Sequence, residues 1–191
     1  MRTLLERLRG AVDPLGIVHE PPPESRRTAG VLLLFDSRDA GLPLLFIERT
    51  AHLRHHAGQI GFPGGGAESA DATIVATAVR EAGEEAGVPA DAVEVIGVLP
   101  PFLTATSDNW LTPVVALQNY DIELRPDPFE VARLFRLGLG ALMTAPHSVR
   151  ILTHDGLSRE VHFYEVDGNV VWGVTAAIVH ELICRIESGA S

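Results

Sequence analysis

An uninterrupted apolar run marks the first strand of this chain. Residues 29–35 are apolar throughout, and such a run is typical of a buried strand. Residues 44–48 predict the next strand after an Asp-Ala-Gly turn, residues 93–99 alternate loosely and predict a third, and residues 110–117 predict a fourth. The pattern therefore predicts a sheet with at least one buried strand.

A helical period replaces this pattern between the second and third predicted strands. A small apolar stripe recurs at helical spacing, formed by Ala72, Val75, Val79, Ala82 and Ala86. At about 100° per residue, Glu84 and Glu85 lie about 60° and 40° to either side of Glu81. Gly87 and Pro89 are typical of a helix end. The stretch predicts a helix with an apolar side and an acidic side.

The two ends of the chain carry simpler patterns. Residues 2–9 predict a short amphipathic helix, followed by a stiff proline-rich connector within residues 1–28. Residues 149–152 and 161–166 predict a hairpin pair, and residues 100–107 predict a loop. In the last helix, the hydrophobic period predicts a buried stripe of Ile178, Leu182 and Ile186. Thr175 is a candidate cap, and Cys184 is expected to pack rather than react.

Composition narrows the class of protein. The 191 residues carry a formal charge of −10, which argues against a general nucleic-acid surface. No run approaches the ~20 apolar residues of a membrane span, and the polar N-terminus does not resemble a signal peptide. The single cysteine fits a reducing compartment. We expect one cytoplasmic domain spanning residues 1–191, without nucleic-acid or membrane partners.

The acidic helix face allows two interpretations. Like charges at this spacing cost only about 0.2–0.5 kcal/mol per pair, so a merely solvated face is possible. However, clustered carboxylates are the ligands that Mg²⁺ prefers, and the preceding Phe-Pro-Gly-Gly-Gly segment leaves backbone groups free for phosphate or metal. This combination favours metal-assisted attack on a phosphoryl group.

The same residues resemble the Nudix box, which reads Gly, five residues, Glu, seven residues, then Arg-Glu-U-x-Glu-Glu-x-Gly-U, where U is a bulky aliphatic. The second half matches from Arg80 to Val88, although Ala82 is small for its position. The first half departs from the box. Counting forward from Gly65 places Asp71 where the box has Glu, with one extra residue before Arg80. This extension resembles the coenzyme A pyrophosphatase branch of the Nudix hydrolases.

A second motif upstream of the box supports the resemblance to that branch. Its matching positions have the right spacing and are Leu45, Arg49, Arg54, Gly58, Phe62, Pro63, Gly64 and Gly65. Thr50 stands where Ser or Ala is usual, and Phe46-Ile47 replaces Leu-Thr. Together the two motifs cover about forty residues.

The resemblance implies a Nudix-type α/β/α sandwich with a mixed sheet, whereas the hydrophobic pattern alone leaves α/β and α+β open. It implies Mg²⁺ or Mn²⁺ held by Gly65, Glu81, Glu84 and Glu85, with Glu130 as a further candidate ligand. Arg80 would orient a carboxylate, and Glu81 is the first candidate for the base. Candidate substrate contacts are Arg49, Arg54, Gly58 and Phe102.

The implied reaction is hydrolysis of the diphosphate of coenzyme A, or of its derivatives, to 3′,5′-ADP and a 4′-phosphopantetheine species. Two alternatives stay open at this point. One is a Nudix pyrophosphatase for another substrate such as NADH or ADP-ribose, and the other is a non-catalytic nucleotide sensor. The motifs do not distinguish a monomer from a homodimer.

Overall fold

The computed structural model describes residues 2–17, 26–53, 56–104, 109–154 and 156–189, with the side chain of residue 154 excepted. The strands are β1 (Arg27–Asp36), β2 (Pro43–Arg49), β3 (Ile60–Gly61), β4 (Gly64–Gly66), β5 (Val93–Val98), β6 (Phe102–Leu103), β7 (Asn109–Gln118), β8 (Val131–Gly138), β9 (His147–His154), β10 (Leu157–Val166) and β11 (Asn169–Trp172). The α-helices are α1 (Leu4–Gly10), α2 (Ile74–Ala86), α3 (Leu139–Thr144) and α4 (Gly173–Ser188), and a 3₁₀ turn covers Ala90–Ala92.

The central sheet is mixed. β1 and β7 pair in parallel, while β2, β3, β4, β5, β6 and β8 join by antiparallel pairing. β9, β10 and β11 form a separate antiparallel sheet. The predicted hairpin pair of β9 and β10 is confirmed.

Both faces of the central sheet are covered. This explains why β1 contains an uninterrupted apolar run. Leu32 and Leu34 of β1 pack in one cluster with Ala78 and Ala82 of α2. The alternate β1 side chains belong to a second cluster with α1 and α4, which includes Leu33, Phe35, Leu8, Ile178 and Leu182. Each fully buried leucine contributes about 1.5–3 kcal/mol. The arrangement is the predicted α/β/α sandwich.

Small residues bring α2 close to β1. A Cβ on Gly30 would lie 2.8 Å from the carbonyl oxygen of Ile74 and 3.3 Å from Ala78. The helix begins at an N-cap, Thr73, whose side chain accepts a hydrogen bond from the Ala76 amide. It ends at Gly87, whose φ of 68° is left-handed and favours glycine. The predicted end is confirmed, but Ala72 lies before the helix and is exposed, so its place in the apolar stripe was wrong.

Three further local predictions need correction. Thr175 does not cap α4, because the N-cap position is Trp172, without a side-chain hydrogen bond, and Thr175 is buried one turn into the helix. Residues 100–107 are not wholly loop, because Phe102 and Leu103 pair with β7. Cys184 is exposed rather than packed in the core. By contrast, Ile178, Leu182 and Ile186 are buried as predicted.

Some predicted features lie outside the described residues. They are the proline-rich stretch 19–24, Arg54 and residues 105–107 of the predicted loop. Across the part of the chain that is described, no helix has the length and apolar character needed to cross a membrane.

Candidate active site

The glycine strand β4 lies between β1 and the acidic side of α2. It pairs with β1 in the register Gly64 to Val31 and Gly66 to Ala29. The close approach requires glycine, because a Cβ on Gly64 would lie 2.3 Å from the carbonyl oxygen of Gly30. On the other side, a Cβ on Gly65 would lie 2.5 Å from the carboxyl carbon of Glu81. The glycine segment and the helix acids therefore form one site, as the sequence predicts.

Glu85 is the buried acid of the helix, with 3% of its surface exposed. Its Oε2 accepts a hydrogen bond of 2.9 Å from the Gly64 amide, and its Oε1 accepts one of 2.9 Å from Arg49 Nη1. Burial nevertheless raises the pKa of Glu85 to about 7, since loss of water outweighs these two donors. A bound cation would stabilise the ionised form.

Glu81 and Glu84 face Arg80. Arg80 Nη1 lies 3.0 Å from an oxygen of each carboxylate. The side chain of Glu81 is 17% exposed and that of Glu84 is 60% exposed. Burial raises the pKa of Glu81, although the neighbouring Arg80 opposes that shift. Solvent exposure of the three acids thus increases from the buried Glu85 through Glu81 to Glu84.

Asp71 holds Arg80 from the other side. Arg80 donates from Nε to Oδ1 and from Nη2 to Oδ2, both at 3.0 Å, and Nη2 also donates to the Gly66 carbonyl. Asp71 further accepts from Thr77 Oγ1 and from the Glu68 amide, both at 2.9 Å. The bond from Arg80 is the main reason that the pKa of Asp71 lies well below its usual range. Asp71 is a site residue that the sequence-based list omitted, although its place in the extended box was visible.

Arg49 connects the upstream motif to the helix. Its Nη1 donates to Glu85, and its Nη2 donates to Glu130 Oε2 at 3.2 Å. Glu130 is held at this position by backbone bonds, from the Thr50 amide to its carbonyl and from its own amide to Asp127. The structure therefore brings Glu130 to the site, where the sequence placed it as a candidate ligand. Because Arg49 binds two carboxylates, its contact with substrate stays a prediction.

Gly58 and Phe102 are the other two candidate substrate contacts within the described residues. Gly58 has a φ of 68°, and its amide donates to the Arg49 carbonyl at 3.1 Å, which closes the loop after β2. Phe102 is half-buried against the core on β6. Their contacts account for both residues structurally, and their role in binding substrate stays a prediction.

A cleft opens beside Glu81 and carries cations that the sequence analysis missed. Its lining consists of Arg26, Arg27, Thr28, Gly66, Ala67, Glu68 and Glu81. Arg27 opens β1, one strand away from the glycine segment. The Arg-Arg pair directly before the first apolar run was the available signal. Guanidinium groups beside an acidic site suit an anionic ligand.

Comparison with known proteins assigns the chain and its fold to a family. A model of the NUDIX domain matches residues 24–153, which is more than half of the chain. The chain belongs to the Nudix family. It is a Nudix hydrolase, a class that acts on small nucleotide derivatives and generally uses divalent metals such as Mg²⁺ or Mn²⁺.

Two bacterial relatives extend this match over most of the chain. The uncharacterized Nudix hydrolase NudL of Photorhabdus laumondii is 38% identical over 173 residues, which cover 87% of this chain and 91% of that protein. NudL of Citrobacter koseri is 40% identical over 163 residues, covering 85% and 84%. A MutT/nudix family protein from Enterococcus faecalis shares the fold, with a TM-score of 0.53 at 18% identity over 90% of this chain and 66% of that one.

Proposed function

We propose that this Nudix hydrolase cleaves the diphosphate bond of coenzyme A and its derivatives, giving 3′,5′-ADP and a 4′-phosphopantetheine species. One observation carries the proposal. The residues that set the coenzyme A branch apart from the general box both contact the box helix: Asp71 binds Arg80 through two bonds, and Arg49 binds Glu85. The departures from the general box are therefore part of the site rather than a loss of it, which argues against the sensor alternative.

The residues present fit a hard divalent cation. The donors are carboxylate oxygens of Glu81, Glu84 and Glu85 together with the Gly65 carbonyl, and Mg²⁺ and Mn²⁺ prefer such oxygen ligands. The raised pKa values of Glu81 and Glu85 support the fit, because burial disfavours their charged forms more than Arg80 and Arg49 favour them, and a bound cation would stabilise the charged forms further. When bound, Mg²⁺ or Mn²⁺ would neutralise diphosphate charge and make an attacking water more acidic.

The side chains around the site have separate catalytic and positioning roles in this proposal. Glu81 takes a proton from the attacking water, and burial raises its pKa, which makes the carboxylate a stronger base than an exposed glutamate. Water attacks one phosphorus, the bond from that phosphorus to the bridging oxygen breaks, and one phosphate ester leaves on the bridging oxygen. Arg80 holds Glu81 and Glu84 in place from its anchor on Asp71, and Arg49 does the same for Glu85. Glu130 is a further candidate ligand beside Arg49.

In this proposal, the arginines of the cleft and the residues of the upstream motif recognise the substrate. Arg26 and Arg27 line the cleft next to Glu81, where they would bind phosphate oxygens. Arg54 and Gly58 belong to the upstream motif, which the branch is thought to use for the coenzyme with its additional 3′-phosphate. Phe102 offers a ring for adenine or pantetheine.

A substrate panel tests the proposal. The purified protein is incubated with coenzyme A, NADH, ADP-ribose and 8-oxo-dGTP, each with Mg²⁺ or Mn²⁺, and the products are separated. We expect release of 3′,5′-ADP from coenzyme A well ahead of every other cleavage. Faster cleavage of another compound would keep the metal helix and discard coenzyme A. Tight binding of one ligand without any cleavage would favour the sensor.

A further inference from the structure

Three histidines from three different elements meet on the side of the molecule formed by β9, β10 and α4. They are His147 of β9, His162 of β10 and His180 of α4. A nitrogen of each lies within 4.8 Å of a nitrogen of the other two. Within the described ranges, no other group of three or more His, Cys, Asp or Glu side chains brings its ligand atoms so close.

Strand register and helix packing produce this cluster. His147 pairs with Tyr164 across the ladder, and Val149 pairs with His162, so the two histidines are diagonal neighbours on one face. α4 packs on that face and adds His180, whose Nδ1 lies 3.1 Å from the Tyr164 hydroxyl. That contact occupies one nitrogen of His180 and fixes the ring, while the other nitrogen, Nε2, lies within hydrogen-bond distance of Cys184 Sγ, a contact that metal binding would replace.

The three imidazole rings are close enough for their nitrogens to approach one small ion. His147 Nε2 and His162 Nδ1 lie 2.9 Å apart with ring planes inclined by 16°, an edge-to-edge hydrogen bond that holds one proton between them. The ring centroid of His180 is 4.7 Å from that of His147 and 4.6 Å from that of His162. Nitrogen ligands about 2.0–2.1 Å from a tetrahedral zinc lie roughly 3.3 Å apart. Because the three nitrogens lie within 4.8 Å of one another, ring rotations and shifts of up to about 1.5 Å would let them converge.

We propose that His147, His162 and His180 form a binding site for zinc or a similar borderline transition-metal ion, separate from the acidic site on α2. Imidazole suits such ions, whereas the oxygen ligands on α2 suit Mg²⁺. The ion would join α4 to the β9–β10 hairpin. Three histidine ligands would leave a fourth position open, as in three-ligand zinc sites. Cys184 Sγ lies 3.6 Å from His180 Nε2, outside the three-histidine group, and is not assigned as a ligand.

The electrostatics support this assignment. Burial and the nearby His180 lower the pKa of His147, and burial, His180 and His147 lower the pKa of His162, with Glu160 opposing. Neutral imidazole is the form that binds metal. Both shifts favour the neutral form of these two side chains.

Zinc titration in excess Mg²⁺ tests the proposal without any activity measurement, so its outcome is independent of the coenzyme A proposal. The full chain is stripped with a chelator and titrated calorimetrically, and Co²⁺ spectra report the coordination geometry. We expect one zinc per chain and a higher melting temperature with zinc. Removal of an outer partner of a metal ligand typically costs 10–100-fold in affinity, so H147A, H162A and H180A should each weaken zinc binding by at least about tenfold.

The matched control is H52A, because His52 contacts Phe129 and lies outside the cluster. We expect H52A to bind zinc like the wild-type chain. Equal zinc affinity in all four variants would overturn the proposal, as would the absence of zinc binding once Mg²⁺ is in excess. Should H180A fail to fold, H147A and H162A decide alone, since both lie on strands of a hairpin rather than within α4.

Discussion

Arg80 binds Asp71 through two parallel hydrogen bonds of 3.0 Å, from Nε to Oδ1 and from Nη2 to Oδ2. The remaining Nη1 lies 3.0 Å from both Glu81 and Glu84. Asp71 therefore orients the guanidinium group, and the guanidinium group orients two of the acids proposed to hold the metal. Through this chain of contacts, the shorter acid of the extended box is connected to the acids of α2.

Replacing Asp71 tests that chain. In D71N the Arg80 group loses a charged partner and one of its two acceptors, so Glu81 and Glu84 lose their orientation. We expect turnover to fall about 10–100-fold, the range seen when outer partners of metal ligands are removed. Steady-state kinetics at several Mg²⁺ concentrations measure the effect. The control is D121N, because the Asp121 side chain is 89% exposed; equal activity in the two variants would falsify the positioning role.

The helix acids themselves should be needed for turnover but not for folding. E84Q replaces the carboxylate of a side chain that is 60% exposed by an uncharged amide. E85Q resembles the protonated form of a residue whose pKa is about 7, a form that the fold accommodates near neutral pH. We expect each substitution to lower kcat by about 10²-fold or more, with circular dichroism unchanged. Near-normal kcat in both variants at saturating metal would contradict the assignment, and E123Q provides an exposed control.

A methyl group on Gly65 should separate activity from stability. The new Cβ would lie 2.5 Å from the carboxyl carbon of Glu81, and the flexible end of that side chain can move away. We expect G65A to keep its melting temperature, whereas displacement of the proposed base by about 1 Å lowers kcat about 10²-fold. G140A is the control, because a Cβ there meets no atom within 4 Å. Unchanged kcat in G65A would place Glu81 outside the reacting geometry.

Arg49 distinguishes orientation of Glu85 from direct contact with substrate. In R49K the charge remains, but one ammonium group cannot reproduce the fork that binds Glu85 and Glu130. We expect kcat to fall while KM changes little. The opposite pattern, a raised KM at constant kcat, would assign Arg49 to substrate binding as the upstream motif suggests.

The cleft cations predict the complementary result. Arg27 lines the cleft beside Glu81 and is exposed at the start of β1. We expect R27A to raise KM for coenzyme A with little change in kcat, because it removes binding common to substrate and transition state. The matched control is R125A, whose side chain is 75% exposed and pairs with Glu123. Identical kinetics of R27A and wild type would exclude Arg27 from recognition.

Much of this protein could be predicted from local sequence. The apolar run 29–35 and the mainly apolar stretches 44–48, 93–99 and 110–117 identified β1, β2, β5 and β7, because buried strands are rich in apolar residues. The helical period put Glu81, Glu84 and Glu85 on one side of α2, because 3.6 residues per turn determine that geometry without any tertiary contact. Gly87 marked the helix end because glycine readily adopts the left-handed conformation in which helices end.

The tertiary structure decided what those residues contact. Glu85 is buried and paired with Arg49 because the fold brings the end of β2 next to α2. The two residues are 36 positions apart in sequence. The position of Arg27 in the cleft and the meeting of three histidines on β9, β10 and α4 depend equally on packing between distant segments. Residue spacing specifies faces of single elements, whereas contacts between elements follow from how the whole core excludes water.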